Sequence, residues 1–148
     1  MIRHMAQTED GLSIGTVSEA TGMSVHALRF FEREGIFLRP IPRSDGGHRV
    51  YEQADVDWLL LCNRLRESGM PIATIRRFAN LVRAGAGNEQ DRLALLQEHE
   101  RLVRAEIAQL KACLEVIHGK VVIYQRHLRD GTAEGLWAPE PTGSISSS

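Results

Sequence analysis

At 148 residues the chain has room for one domain, or for a small domain with a long extension. Its formal charge of −1 carries no basic signature, so binding to nucleic acid cannot be argued from net charge. Two cysteines are too few for a disulfide framework or an all-cysteine zinc site, and no run of residues approaches a membrane span. The composition fits a cytoplasmic chain with no membrane partner.

Residues 1–11 are polar and are expected to be a flexible N-terminus. Leu12–Ile14 reads as a short strand. A first helix is expected over Ile14–Thr21, with Val17 and Ala20 turned inward. Gly22 stops it, since glycine takes positive φ at a helix end without steric cost. Ser24 is a good N-cap for a second helix over Val25–Glu34. Val25, Leu28 and Phe31 or Glu32 share its inner side, while His26, Ala27, Arg29, Phe30 and Arg33 fall largely outside it.

Pro40 and Pro42 bar further helix. Ser44-Asp45-Gly46-Gly47 is a tight-turn signal between Ile41-Pro42-Arg43 and His48-Arg49-Val50-Tyr51, which predicts a short hairpin. Residues 25–49 hold five arginines against three acids, and every formal cation before Lys111 is an arginine. Its planar fork suits phosphates and guanine edges. Two short helices joined at Gly22-Met23-Ser24 and followed by an arginine-bearing hairpin make a winged helix-turn-helix, which seats one helix in a DNA groove.

A third helix is expected over Glu52–Ser68, with Val56, Leu59, Cys62 and Leu65 along one face. A fourth, with Pro71 in its first turn, should end near Arg83. Ala84–Asn88 reads as a flexible joint. From Glu89 to about Arg129 one long helix is expected, because Leu93, Leu96, Val103, Ile107, Leu110, Leu114, Ile117, Val121, Tyr124 and Leu128 alternate at spacings of 3 and 4, with Glu100 the one break. That is the a/d pattern of a coiled coil. The chain offers no second helix of that length to cover the seam, so a homodimer is expected. Leu95, Leu102, Val116 and Ile123 form a further stripe at c positions, expected to pack on the partner's fourth helix or to line a ligand site. Gly119 costs helix stability and marks a bend or a close approach. Residues 131–148 read as a disordered tail. The fold class is therefore mainly α: flexible residues 1–11, a winged domain over 12–84, a joint at 85–88, a coiled-coil helix over 89–130 and the tail.

These residues resemble the MerR family of bacterial transcription regulators. The matching text is Ile14-Gly15, Gly22-Met23-Ser24-Val25, Leu28-Arg29-Phe30-Phe31-Glu32, Gly35-Ile36, Arg43 with Gly47-His48-Arg49-Val50-Tyr51, Asp55-Val56 and Gly69-Met70-Pro71. The resemblance implies a homodimer joined by an antiparallel coiled coil. It implies binding to a palindrome in double-stranded DNA, and distortion of that DNA so that RNA polymerase engages the promoter. Carried over by position, the expected DNA-contacting residues are Ser24, His26, Ala27, Arg29, Phe30, Arg43, His48, Arg49, Tyr51 and Arg66. The dimer seam is expected to use Leu96, Val103, Ile107, Leu110, Leu114, Ile117, Val121 and Tyr124. Where the family usually has two tyrosines this chain has Phe30-Phe31, which removes two hydroxyls that would reach phosphates.

The family's metal sensors need cysteines this chain lacks. Asp57-Trp58, Leu65–Pro71 and Lys120…Tyr124 look like the small branch that responds to aldehyde, electrophile or thiol stress. Cys62 and Cys113 are the sensor candidates this leaves for an electrophile or small-molecule inducer. Cys62 falls on the core face and two residues before the branch's reactive position, at Arg64. The histidines, His99 and His127 among them, are expected to flank the seam and not to bind metal. No cofactor and no catalytic constellation is expected. Two other readings stay open: a ligand-independent DNA-bending factor, and a coiled-coil interaction module pairing with another regulator.

Overall fold

The computed structural model describes residues 11–137; the expectations for residues 1–10 and 138–148 lie outside them. Five helices follow in order: α1 (Ile14–Thr21), α2 (Val25–Arg33), α3 (Gln53–Glu67), α4 (Ile72–Arg83) and α5 (Glu89–Asp130). α1, α2 and α3 start where local side chains satisfy free N–H groups. Ser13 Oγ accepts from Thr16 N–H at 3.1 Å, and Ser24 Oγ accepts from Ala27 N–H at 3.0 Å. Glu52 and Asp55 form a reciprocal capping box at α3. Gly22, at φ 71°, closes α1 and donates its N–H to Ser18 O. Pro71 is the N-cap of α4, one position earlier than expected.

The expected strands contract to isolated bridges. Leu12 pairs with Tyr51 through two hydrogen bonds of 2.7 and 2.8 Å, and Ile14 already belongs to α1. In the hairpin Arg43 pairs with Arg49, Ser44 N–H donates to His48 O, and Gly47 N–H closes the turn on Ser44 O. Pro42 has no N–H to give, so the ladder cannot lengthen on that side. Among the described residues no extended strand forms.

The chain divides into two compact units, Met1–Val103 and Arg104–Ser148, with the boundary inside α5. The first turns of α5 belong to the first unit because Leu95 is buried there. The presumed joint is also a hydrogen-bonded connection: Asn88 Nδ2 donates to Leu81 O at 2.7 Å, and Gly87 N–H donates to Glu89 Oε2 at 2.9 Å.

In the first unit α1 packs on α2 and α3, and α3 on α4. Val17, Leu28, Phe31, Leu59 and Ile75 form the centre of the core. Ala20, expected inward, is exposed, since Val17 alone fills the short helix's contact. Trp58 stacks on Phe78 with centroids 5.7 Å apart and donates Nε1–H to Ile36 O at 2.8 Å, which satisfies its polar end. Two α4 arginines hold the far end of α2. Arg76 pairs with Glu34, and Arg83 donates to Gly35 O at 2.9 Å, placing cations where helix carbonyls are unpaired.

Asp55 is the one buried charge among the described residues. It accepts from Arg39 Nη2 at 2.6 Å and from Glu52 N–H at 2.7 Å. Truncation removes the nearer of Arg39's two carboxylates, leaving Glu52 at 3.7 Å, and opens the α3 cap. Asp55→Ala is expected to cost about 3 kcal/mol, read as a drop in the urea midpoint; a change under about 1 kcal/mol would rank the pair with ordinary surface bridges.

In the second unit the remainder of α5 ends where Thr132 N–H caps His127 O at 2.8 Å. Lys120 Nζ lies 4.4 Å from the Trp137 ring centroid. α5 runs unbroken through Gly119, and within the single chain an added Cβ there meets nothing within 4 Å. No helix among the described residues is long and apolar enough to cross a membrane.

Candidate nucleic-acid interface

α2 carries the strongest division of faces in the winged domain. Leu28 and Phe31 are buried, and Ala27 and Phe30 rest against the core. On the other side His26, Arg29 and Arg33 are exposed. Their spacing of three and four residues puts them on one stripe. Arg29 and Arg33 form no ion pair among the described residues, so both guanidiniums face solvent unneutralised. Arg33 was absent from the expected contact set. Its place four residues after Arg29 was the available signal.

Ser24 is exposed, and its hydroxyl is used by the cap. In the wing, His48 is exposed at the turn. Arg49 is only 19% exposed, because its Nε donates to Glu32 Oε2 at 2.5 Å. Arg43 lies 3.9 Å from the other Glu32 oxygen and donates to Gly47 O at 3.4 Å. Glu32 therefore ties both wing arginines to α2, a role with no signal in the residue pattern.

The phenylalanine pair has a partner of its own. Arg66, exposed in the last turn of α3, holds its guanidinium carbon 5.5 Å from the Phe30 centroid and 5.6 Å from that of Phe31. The cation rests on aromatic faces and braces the end of α3 against α2.

Tyr51 stands apart from the other expected contacts. It is 0% exposed, packed 6.1 Å from the Phe37 ring, and its hydroxyl meets no hydrogen-bond partner among the described residues. The structure places it in the core beneath the wing and not on the surface. Burial first, and then the nearby Glu32 carboxylate, push its phenol above the usual range. Tyr51→Phe is expected to leave the melting temperature unchanged or raise it, since an unpaired buried hydroxyl costs about 1–3 kcal/mol. A fall in DNA affinity at unchanged stability would restore the hydroxyl to the contact set.

Cys62 is fully buried between apolar neighbours, and burial pushes its thiol up to about 12. Such a group supplies no thiolate near neutrality and is a poor sensor. Cys113 is exposed on α5. Titration with a thiol reagent is expected to find one fast thiol in the native chain, Cys113, and both only after denaturation; two fast thiols would contradict the burial of Cys62. Among the described residues no cluster of His, Cys, Asp and Glu could hold a metal ion. His99 meets Ser68 Oγ at 2.8 Å and so lies half-buried against the turn after α3.

Comparison with known proteins reads this geometry. The family described as a MerR HTH family regulatory protein matches residues 12–81, and the MerR, DNA binding family matches residues 56–119. An HTH-type transcriptional regulator of Haemophilus influenzae is 31% identical over 123 residues, covering 83% of this chain and 90% of its own. The chain belongs to the MerR family.

Solved MerR structures carry the same fold. HiNmlR, a MerR family regulator lacking the sensor domain and bound to promoter DNA, superposes with a TM-score of 0.76 at 29% identity, over 86% of this chain and 96% of its own. A MerR family regulator from Bacillus thuringiensis superposes with a TM-score of 0.68 at 25% identity, over 76% and 98%. The chain is thus a MerR-type DNA-binding transcription regulator, mainly helical, with a helix-turn-helix domain and a long C-terminal helix.

Proposed function

We propose that this MerR-type regulator works as a homodimer on a palindromic promoter site, with one winged domain on each half-site, and switches transcription by distorting the DNA for RNA polymerase. Residues 12–84 act as the DNA-binding domain and 89–130 as the dimerisation helix. The supporting observation is the uncovered seam of α5: Leu114 is 62% exposed and Ile117 58% exposed in a helix of 42 residues. Around Ile117, Val121, Tyr124 and Leu128 lies an open apolar groove of about 450 Å³. Apolar stripes of that extent are stable in water only when another surface covers them. Leu96 and Val103, at the start of the seam, are already partly covered by their own domain.

The reading helix presents His26, Arg29 and Arg33 to the major groove, and the wing brings Arg43, His48 and Arg49 to the flanking backbone. Ser24 and Ala27 position the helix start, and Phe30 with Arg66 braces its end. Inducer chemistry does not pass through Cys62. The relatives are regulators, and the role proposed here is regulatory with no catalytic step. A gel shift on palindromic promoter DNA, across a salt series, tests the DNA reading. Tight binding that weakens as salt rises is expected; equal affinity for scrambled DNA at every salt would leave only non-specific attraction.

A further inference from the structure

The first unit contains an unassigned cavity of about 390 Å³, between the turn that opens α4 and the first turns of α5. Its walls are apolar: Met70 and Pro71 on one side, Leu95 and Leu102 on the other. The polar groups are Thr74, with a neutral hydroxyl, and Glu98, His99 and Arg77. Glu98 is exposed and already turned to Arg101 through two hydrogen bonds of 3.0 and 2.7 Å. His99 is fixed by Ser68; the serine hydroxyl donates to the carbonyls of Arg64 and Leu65, which leaves His99 Nε2 to donate. Arg77 remains, exposed and with no ion pair among the described residues. A pocket of this size with apolar walls and one uncompensated cation is complementary to a small molecule with an apolar body and a single negative charge.

The heptad places this cavity off the dimer seam. Leu95 and Leu102 are c positions, Glu98 is f and His99 is g, a sector turned away from the a/d line. A second helix seated on a and d leaves that sector open. We propose that this cavity binds a small amphipathic carboxylate, with its carboxylate on Arg77 and its apolar body between Pro71, Leu95 and Leu102. Such a ligand bridges α4 to α5 within the domain that carries the reading helix. The inference rests on the homodimer reading for the openness of that sector, so it is tested by binding without DNA.

Octanoate, 1-octanol and octylammonium are titrated calorimetrically into the full-length protein below their aggregation thresholds. Saturable binding of octanoate is expected, with octanol weaker by about tenfold, as the loss of one charge-assisted pair predicts, and octylammonium weaker still. Arg77→Gln is expected to remove the preference for octanoate over octanol. Leu102→Trp is expected to abolish binding while light scattering still reports the parent's mass. Octanol binding as tightly as octanoate overturns the proposal, as does octanoate binding undiminished to Leu102→Trp. Loss of the dimer in Leu102→Trp assigns the cavity to a second copy of the chain and overturns it as well. DNA affinity is measured separately, so a failure here leaves the promoter-binding reading standing.

Discussion

Leu114→Glu combined with Ile117→Glu is expected to turn the dimer into monomers and to remove tight binding to a palindrome. Both side chains are more than half exposed in the single chain, so neither substitution disturbs its core. In a dimer each such residue loses its water, which stabilises by about 1.5–3 kcal/mol per side chain. Four are replaced per dimer, and four carboxylates enter an apolar seam. The dimer dissociation constant should rise by roughly a thousandfold or more, since each 1.4 kcal/mol is a factor of about ten. Light scattering should report the monomer mass with an unchanged far-UV helix signal, and the gel shift should lose the palindrome complex. A double variant that stays dimeric would place the interface elsewhere.

Arg29→Ala is expected to weaken promoter binding by roughly a hundredfold, with no change in melting temperature. Arg29 is exposed, lies mid-stripe on α2 and has no ion-pair partner among the described residues, so removing it costs the fold nothing. A guanidinium bound to a base edge or phosphate contributes about 1–3 kcal/mol, and a two-fold complex loses it twice. Arg49→Ala makes the contrast. It breaks the 2.5 Å pair with Glu32, so it should lower both stability and affinity. If Arg29→Ala binds like the parent across a salt series, the stripe does not face DNA.

The helices were legible because their signals are local. Gly22 and Ser24 bound α1 and α2, and the 3–4 spacing of α5 survives to Asp130. The wing was legible as a turn but not as a ladder, because Pro42 limits pairing that the Ser44–Gly47 signal cannot report. Tyr51 was placed at the DNA surface by the family resemblance, yet its bridge to Leu12 draws it under the wing; that pairing spans residues too distant for pattern to register. The same distance hid Glu32 with Arg49, and Arg66 over the two phenylalanines. Leu95 and Leu102 were visible as a c-position stripe, but only the folded chain showed that they line a cavity with Met70 and Pro71.

The hold of Glu32 on the wing has a consequence for binding thermodynamics. A cation that arrives free condenses onto a phosphate and expels a counterion, and that release sets the slope of affinity against salt. Arg49, and in part Arg43, arrive already bound to an internal carboxylate. To meet a phosphate they must share or leave it, exchanging one anion for another. The protein should therefore lose affinity with rising salt more gently than its arginine count implies, and Glu32→Gln should steepen the slope.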